Sequence, residues 1–395
     1  MATGDSIQSR IEHEAMRAMF KTTYKILVTV ALVLCISCAS PVAHRSAEHE
    51  WILCTTVISE EKSGQREAAV FIWDVQKLIN KEAPELHLLW HGLRGARPEA
   101  ALSPDVKTLA VAYWNYQMDA KITSLVNLNT GHIEDLTKTP GEEYDLIWLN
   151  QNELFLYHAP HSPDLPDVLQ VWNTKEKKLL KEFKWSDIFA PPSGAIPSFF
   201  SIAPSAIGNE IKVVGWVKEN KSQFYFSNEE NATVIYSPTY PYQIASLDKH
   251  TLKITSTVSY PAEINNLPSP PRQDLDYNGK DIYAFITQVS PIKSTWDSAI
   301  NEIVVVKQGE DGKFTKIYEI PNSDKAVTFD SVLFINEDYL IYNFMSYKNG
   351  NPVYNIGILN VKNFNQWSFT PTWHGENIML VNYRTTPAGW SPDLK

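Results

Sequence analysis

Cysteine is scarce in this chain. There are three in 395 residues, and Cys35 and Cys38 both fall in an apolar N-terminal segment. Only Cys54 lies in the remainder, so an intrachain disulfide there is excluded. The spacing Cys35-x-x-Cys38 has no second pair to complete a structural zinc site. Positive charge is also short: the formal net charge is −10. Phosphate backbones are gripped by clustered Lys and Arg, so nucleic acid is not an expected partner. Long apolar runs are missing as well. The run ILVTVALVLCI (26–36) is about half the twenty residues that a membrane-spanning helix needs. Catalytic signatures are absent too: no Gly-x-Ser-x-Gly elbow, no Walker loop, no Gly-x-Gly-x-x-Gly and no sialidase-type Ser-x-Asp-x-Gly-x-Thr-Trp box. No cofactor is expected.

Aromatic residues, by contrast, are plentiful: 12 Trp, 18 Tyr and 16 Phe. Such side chains favour the pleated, half-buried surface of a strand. The N-terminus carries a different signal. Lys21 and Lys25 precede the apolar run, and SCASPVA (37–43) follows it, which is the layout of an export signal. Residues 1–18 read as an upstream extension, with Met16 or Met19 as a start. Two cleavage readings stay open. Ser37-Cys38-Ala39 fits an ordinary signal peptidase, whereas Cys35-Ile36-Ser37-Cys38 is similar to a bacterial lipobox with Cys38 lipidated. In the lipobox reading, Cys35 stands where Leu is usual. Either way the expected location is periplasmic or cell-surface, with secretion as the alternative, and any membrane contact is through an N-terminal lipid or signal anchor. Asn220-Lys-Ser and Asn231-Ala-Thr are sequons that matter only in a eukaryotic secretory host.

The rest of the chain repeats one sentence. ALSPDVKTLAVAYWN (101–115) has an apolar entry, a tight polar turn and an alternating apolar-aromatic exit. The pattern recurs around turns at 150–152, 208–209, 278–279, 336–338 and 374–376. Of these, Asn278-Gly279 is the strongest hairpin signal. A second hairpin type alternates with the first: TSLVNLNTGHIEDL (123–136) is the clearest, and 167–183, 242–258, 301–320 and 354–369 follow. AAVFIWDVQ (68–76) with ELHLLWHG (85–92) is its first copy, and EWILCTTVIS (50–59) reads as the opening inner hairpin. Four antiparallel strands per repeat, repeated six or seven times, predict an all-β propeller. Six blades is the simplest count, closed by strands near 369–384 completing the blade begun at 50–92; seven is the alternative. The predicted organisation is an extension and signal segment at 1–43, a propeller at 48–386 and an irregular tail at 387–395.

The segment ALSPDVKTLAVAYWN followed by LVNLNTGHIEDL resembles the TolB-like propeller repeat of bacterial envelope proteins. That family makes the inner turn with Ser-Pro-Asp-Gly-Lys and the outer turn with Asp-x-x-Thr-Gly. Here Val106 stands where Gly is usual, and the outer turn is Asn129-Thr130-Gly131. Only this blade matches closely. The resemblance implies a fold and a compartment and carries over no catalytic residue.

The short turns all belong to one face of the expected ring. The long connections, 158–167, 185–200, 218–241, 259–273 and 289–300, belong to the other. Long loops on a rigid scaffold are where binding sites are commonly built. The expected contact residues there are Trp114, Tyr116, His158, His161, Asp164, Tyr225, Tyr240, Tyr242, Trp296 and Asp297. Exposed Tyr and Trp bury much area at low entropic cost. Any one of them can equally pack a loop onto its blade. His158-x-x-His161 with Asp164 has metal-compatible types, but a Pro-rich loop does not fix them as a helix would, and no metal is expected. The functional expectation is therefore a non-enzymatic scaffold for a protein or glycan partner in the envelope. One alternative is a carbohydrate-active enzyme with carboxylates from different blades at the axis. Another, raised by the Ser-Pro-Asp of PAGWSPDLK (387–395), is a propeller separated from a C-terminal hydrolase domain.

Overall fold

The computed structural model describes residues 51–59, 66–83, 85–116, 118–137, 141–160, 165–189, 195–204, 209–219, 243–259, 275–288, 301–321 and 328–387, with 390 and 392. The export signal, Cys35 and Cys38 lie outside the described residues.

Six four-stranded antiparallel sheets make six blades. The first contains β1 (Trp51–Ser59), β2 (Arg66–Asp74) and β3 (His87–Arg94). The second contains β4 (Ala96–Leu102), β5 (Thr108–Asn115), β6 (Ala120–Asn127) and β7 (Ile133–Asp135). The third contains β8 (Gly141–Asn150), β9 (Glu153–Pro160), β10 (Val168–Asn173) and β11 (Lys178–Phe183). The fourth contains β12 (Ala195–Pro204), β13 (Glu210–Glu219), β14 (Gln243–Asp248) and β15 (Ile254–Ser259). The fifth contains β16 (Leu275–Tyr277), β17 (Ile282–Gln288), β18 (Asn301–Gln308) and β19 (Phe314–Ile320). The sixth contains β20 (Thr328–Phe334), β21 (Tyr339–Lys348), β22 (Asn351–Asn360) and β23 (Gln366–Phe369). A small hairpin follows, β24 (Thr372–Trp373) with β25 (Glu376–Asn377), and then β26 (Val381–Thr385). β26 pairs with β1, so the last strand supplies the innermost strand of the first blade. Two short helices interrupt the pattern: α1 (Val75–Ile79) joins β2 to β3, and α2 (Trp185–Ile188) follows β11.

The inner strands touch in the order β26, β4, β8, β12, β16, β20 and back to β26, which closes the ring. Each gap between neighbouring blades holds its own apolar cluster. Leu53, Ile72, Leu102 and Val111 fill the gap between the first two blades, and Trp390 of the tail packs against them. Ile52, Phe71 and Trp73 meet Ile341 and Ile358 of the sixth blade at the seam. The core is thus six wedges arranged around the ring rather than one centre, as expected of a blade that covers its faces only with its neighbours.

The expected closure holds, with two changes in detail. Residues 51–59 are the second strand of their blade and not the start of an inner hairpin, because their inner partner comes from the opposite end of the chain. The turn at 374–376 is likewise not an inner turn. It belongs to the separate β24–β25 pair, which leaves only β26 to enter the ring. The β2–β3 connection also departs from the short polar turn expected there, since it carries α1, capped by the Asp74 carboxylate accepting from the Gln76 amide at 2.8 Å.

The turns are built by side chains. Asn278 Oδ1 accepts from the amides of Lys280, Asp281 and Ile282 at 3.0, 3.1 and 3.0 Å, and its own amide group donates to the Glu337 carbonyl of the next blade at 3.1 Å. Asn127, Asn173, Asp248 and Asn360, at the ends of four third strands, accept from amides two or three residues on. A short polar side chain that completes its own turn is the physical reason these residue types recur.

Candidate functional site

Strand direction fixes which residues share an end of the ring. First strands run from the face of the long connections to the face of the short turns, and second strands run back. The beginnings of β4, β6, β8 and β26 and the end of β9 therefore meet on the long-connection side. The connections there are 161–167, 184–194, 220–242, 260–274, 289–300 and 321–327, against turns such as 151–152, 278–281 and 335–338 on the other side. The expected loops 158–167 and 185–200 are shorter than predicted, because β9 runs on to Pro160 and β12 starts at Ala195.

On this side the inner strands are irregular. The register of inner against second strand shifts between Ala96 and Glu99, between Tyr144 and Ile147, and between Phe329 and Ser331; on β1 it shifts between Leu53 and Thr55, opposite β26. Asp145 sits in the β8 irregularity with φ 56, and Asn382 in that of β26 with φ 53. Such bulges re-aim side chains. Here they turn charged groups into the middle of the ring.

Asp145 is the hub. Its amide donates to Glu99 Oε2 of the second blade at 2.7 Å. Its Oδ2 accepts from the Ile202 amide of the fourth blade at 3.0 Å. Its Oδ1 pairs with Arg384 Nη2 of the closing strand at 3.2 Å. One residue thus ties four blades together, reaching past the second to the first. The other oxygen of Glu99 is ion-paired with Lys121, whose ammonium lies 4.0 Å from the centre of the Tyr144 ring. Both side chains of that pair are buried, and the ring face replaces part of the lost hydration. Burial raises the Asp145 carboxyl above its ordinary value; the Glu99 charge adds to this, and Arg384, the Ile202 amide and Lys121 oppose it.

Beside the hub, Glu143 is fully buried. Its Oε2 accepts from the hydroxyls of Thr123 and Thr137 at 2.5 and 2.7 Å. Its Oε1 faces His158 Nδ1 at 3.7 Å, and neither of these two atoms has a hydrogen-bond partner. His158 is therefore an interior strand residue, 3 % exposed, and not the loop residue expected from its Pro-rich neighbourhood. The ring fits because Gly141 has no Cβ: one there would lie 2.5 Å from His158 Cε1.

The expected contact residues divide sharply. Trp114, half-buried at the end of β5, and Tyr116, 63 % exposed in the turn after it, are on the long-connection side. His161, Asp164, Tyr225, Tyr240, Tyr242, Trp296 and Asp297 lie outside the described residues. Among the described residues no cluster of three His, Cys, Asp or Glu has metal-ligand geometry, and no helix is long and apolar enough to cross a membrane. The axial charges escaped the sequence reading because Glu99, Lys121, Asp145 and Arg384 follow no motif. Each lies on a different strand: Glu99 and Lys121 meet within the second blade, the third blade brings Asp145, and ring closure brings Arg384.

No protein-family model matches this sequence, and no curated protein does. Solved structures similar to it include TolB from Acinetobacter baumannii, at 10 % identity and TM-score 0.49 over 85 % of this chain and 66 % of that one. A protein assigned as TolB in Agrobacterium tumefaciens is similar at 9 % identity and TM-score 0.44, covering 77 % and 88 %. The β-propeller domain of the Trilobed protease from Pyrococcus furiosus is similar at 10 % identity and TM-score 0.38, covering 78 % of each chain. The likeness is one of fold: the chain is a six-bladed propeller.

Proposed function

We propose that this chain is an exported propeller of the bacterial cell envelope, and that the side of the ring carrying the long connections holds a protein or glycan partner. The observation that carries the reading is the one-sidedness of the connections. The opposite side is closed by turns such as 151–152 and 335–338, whereas this side receives 220–242, 260–274 and 289–300. A ring stitched at its axis and elaborated on one side presents variable chain on a fixed base. Trp114 and Tyr116 supply aromatic surface at the edge of that side, and Tyr225, Tyr240, Tyr242, Trp296, His161, Asp164 and Asp297 add contacts from the long segments. Export follows from the basic-apolar-small order of 21–43, with Cys38 the site of lipidation if the lipobox reading holds.

The axial carboxylates favour a fastening role. A hydrolytic pair needs one carboxyl to protonate the leaving group and another to attack or to activate water. Glu99 and Asp145 are each engaged by a cation and a backbone amide, and Glu143 by two hydroxyls.

The test replaces 222–240 with a short Gly-Ser linker and compares bound partners with those of the unaltered chain. The expected result is an unchanged melting temperature with one or more partners lost. An identical set of partners would remove the reading.

A further inference from the structure

A cleft of about 310 Å³ lies between the fifth and sixth blades, lined by Ile320, Phe329, Tyr342, Phe344, Gln366 and Ser368. Its volume is at the lower end for small-molecule sites. It stands apart from the axial charges. Ile320 ends β19, Phe329 pairs with Phe344 near the same end of the sixth blade, and Ser368 lies near the end of β23, so the lining belongs to the long-connection side.

The floor is shaped by a missing side chain. Tyr342, Gly357 and Ser368 occupy one row across three strands. A Cβ on Gly357 would come within 2.1 Å of Tyr342 Cζ, so the tyrosine ring lies flat across the sheet at this point. Phe329 meets the Tyr342 ring edge-on at 5.9 Å, and Phe344 lies 5.9 Å from the Tyr342 ring and 6.3 Å from that of Phe329, so the three rings form one cluster. Burial raises the Tyr342 hydroxyl well above its ordinary value, so it remains a donor, and it donates to Gln366 Oε1 at 3.3 Å. That contact orients the amide at the rim. Gln366 and Ser368 are both exposed.

None of the lining side chains is charged, so nothing here would recognise an ion. A wholly apolar ligand would leave the Gln366 amide and the Ser368 hydroxyl at the rim unused. A pyranose ring suits this set: its C–H face rests on Phe344, a half-buried aromatic of the lining, and its neighbouring hydroxyls bond to the Gln366 amide and the Ser368 hydroxyl. The geometry points to a hexopyranose-binding site between the fifth and sixth blades. This deepens the scaffold reading and rests on it, by assigning a sugar unit of a glycan to one cleft.

The experiment is saturation-transfer NMR with titration of the full chain by the methyl pyranosides of glucose, galactose and N-acetylglucosamine. At least one of them binds the unaltered protein. Phe344→Ala weakens binding about tenfold through lost stacking, and Gln366→Ala about fivefold through a lost hydrogen bond. Ser368→Trp fills the cleft and abolishes binding. Gln366 and Ser368 are exposed, so those two variants keep the melting temperature of the parent even if Phe344→Ala does not. Absence of binding by all three sugars, or full binding in Ser368→Trp, overturns the proposal. The 222–240 replacement separates it from the broader reading. Sugar binding that survives there and is lost in Ser368→Trp supports the cleft. Sugar binding lost only in the replacement overturns the cleft and leaves the scaffold standing.

Discussion

The two sides of this ring solve opposite problems. On the side of the short turns, each reversal is made by its own residues: Asn278 alone satisfies three amides and reaches the next blade. On the other side the inner strands bulge, and long-range pairs such as Asp145–Arg384 hold them together. Local chemistry builds one side and tertiary chemistry the other. The lesson is that a repeat fold can be uniform in its turns and singular in its fastenings, and it is the singular half that bears the long connections.

The largest expected effect tests the fastened half. Lys121→Ala leaves the Glu99 carboxylate buried without its cation, and a loss of about 3–5 kcal/mol in chemical denaturation is expected. A loss under 1 kcal/mol would mean that water reaches Glu99 and that this buried pair, which joins the first and third strands of the second blade, adds little to the fold. The turn half is tested by Asn278→Ala. Three amides and one carbonyl lose a partner at a site that is 2 % exposed, so about 2–3 kcal/mol is expected to go. If the two losses came out in the opposite order, local turn chemistry would outweigh the axial charges.

A gain of stability is expected at Val106. Its φ is 55, a left-handed conformation that a β-branched side chain resists, in the turn where the family resemblance places Gly. The turn is held there by Ser103 and Asp105, whose side chains bond each other at 2.7 Å, with the Thr108 amide donating to the Ser103 hydroxyl at 3.0 Å. Val106→Gly should stabilise the fold by about 1 kcal/mol, allowing for the partial packing the valine gives up. A thermal melt that shifts downward would show that packing dominates.

A smaller effect is a pH dependence. The Asp145 carboxyl is raised in the folded state, so the folded chain holds that proton more tightly than the unfolded chain does. Its contribution to stability is fully present below the ordinary carboxylate range and is lost as pH rises through the raised folded value. Asp145→Asn removes this titration. The stability of the parent relative to the variant should therefore rise on acidification and level off towards neutral pH. Parallel curves across that range would show that Asp145 keeps an ordinary affinity for its proton. The least effect is expected at Cys54. Its thiol is fully buried, burial raises it well above its ordinary value, and it donates to the Phe71 carbonyl at 3.7 Å. It should stay unmodified by thiol reagents until the protein unfolds.

The fold was legible because its signals are local and repeated. Asn-Gly at 278–279 and Asn129-Thr130-Gly131 mark turns in their own neighbourhoods, and strand alternation between them needs no knowledge of the rest. Misread elements were those whose partners are distant. Residues 50–59 looked like an inner hairpin because nothing near them shows that Val381–Thr385 will become their inner neighbour. His158 looked exposed for the same reason. Its strand continues past the apparent loop boundary, and the carboxylate it faces comes from the adjacent strand.

By itself, then, the sequence determined most of the strands and turns, a repeat of six or seven blades, and which side of the ring carries the long connections, since all of these follow from side-chain type over a few residues. Tertiary structure alone decided how the ring closes, where Glu99, Lys121, Asp145 and Arg384 meet, and that Tyr342 and Phe344 make a cleft with Gln366 and Ser368. Those arrangements depend on strands far apart in the chain. Buried charge has no sequence period, and it becomes visible only once the blades are stacked around a common axis.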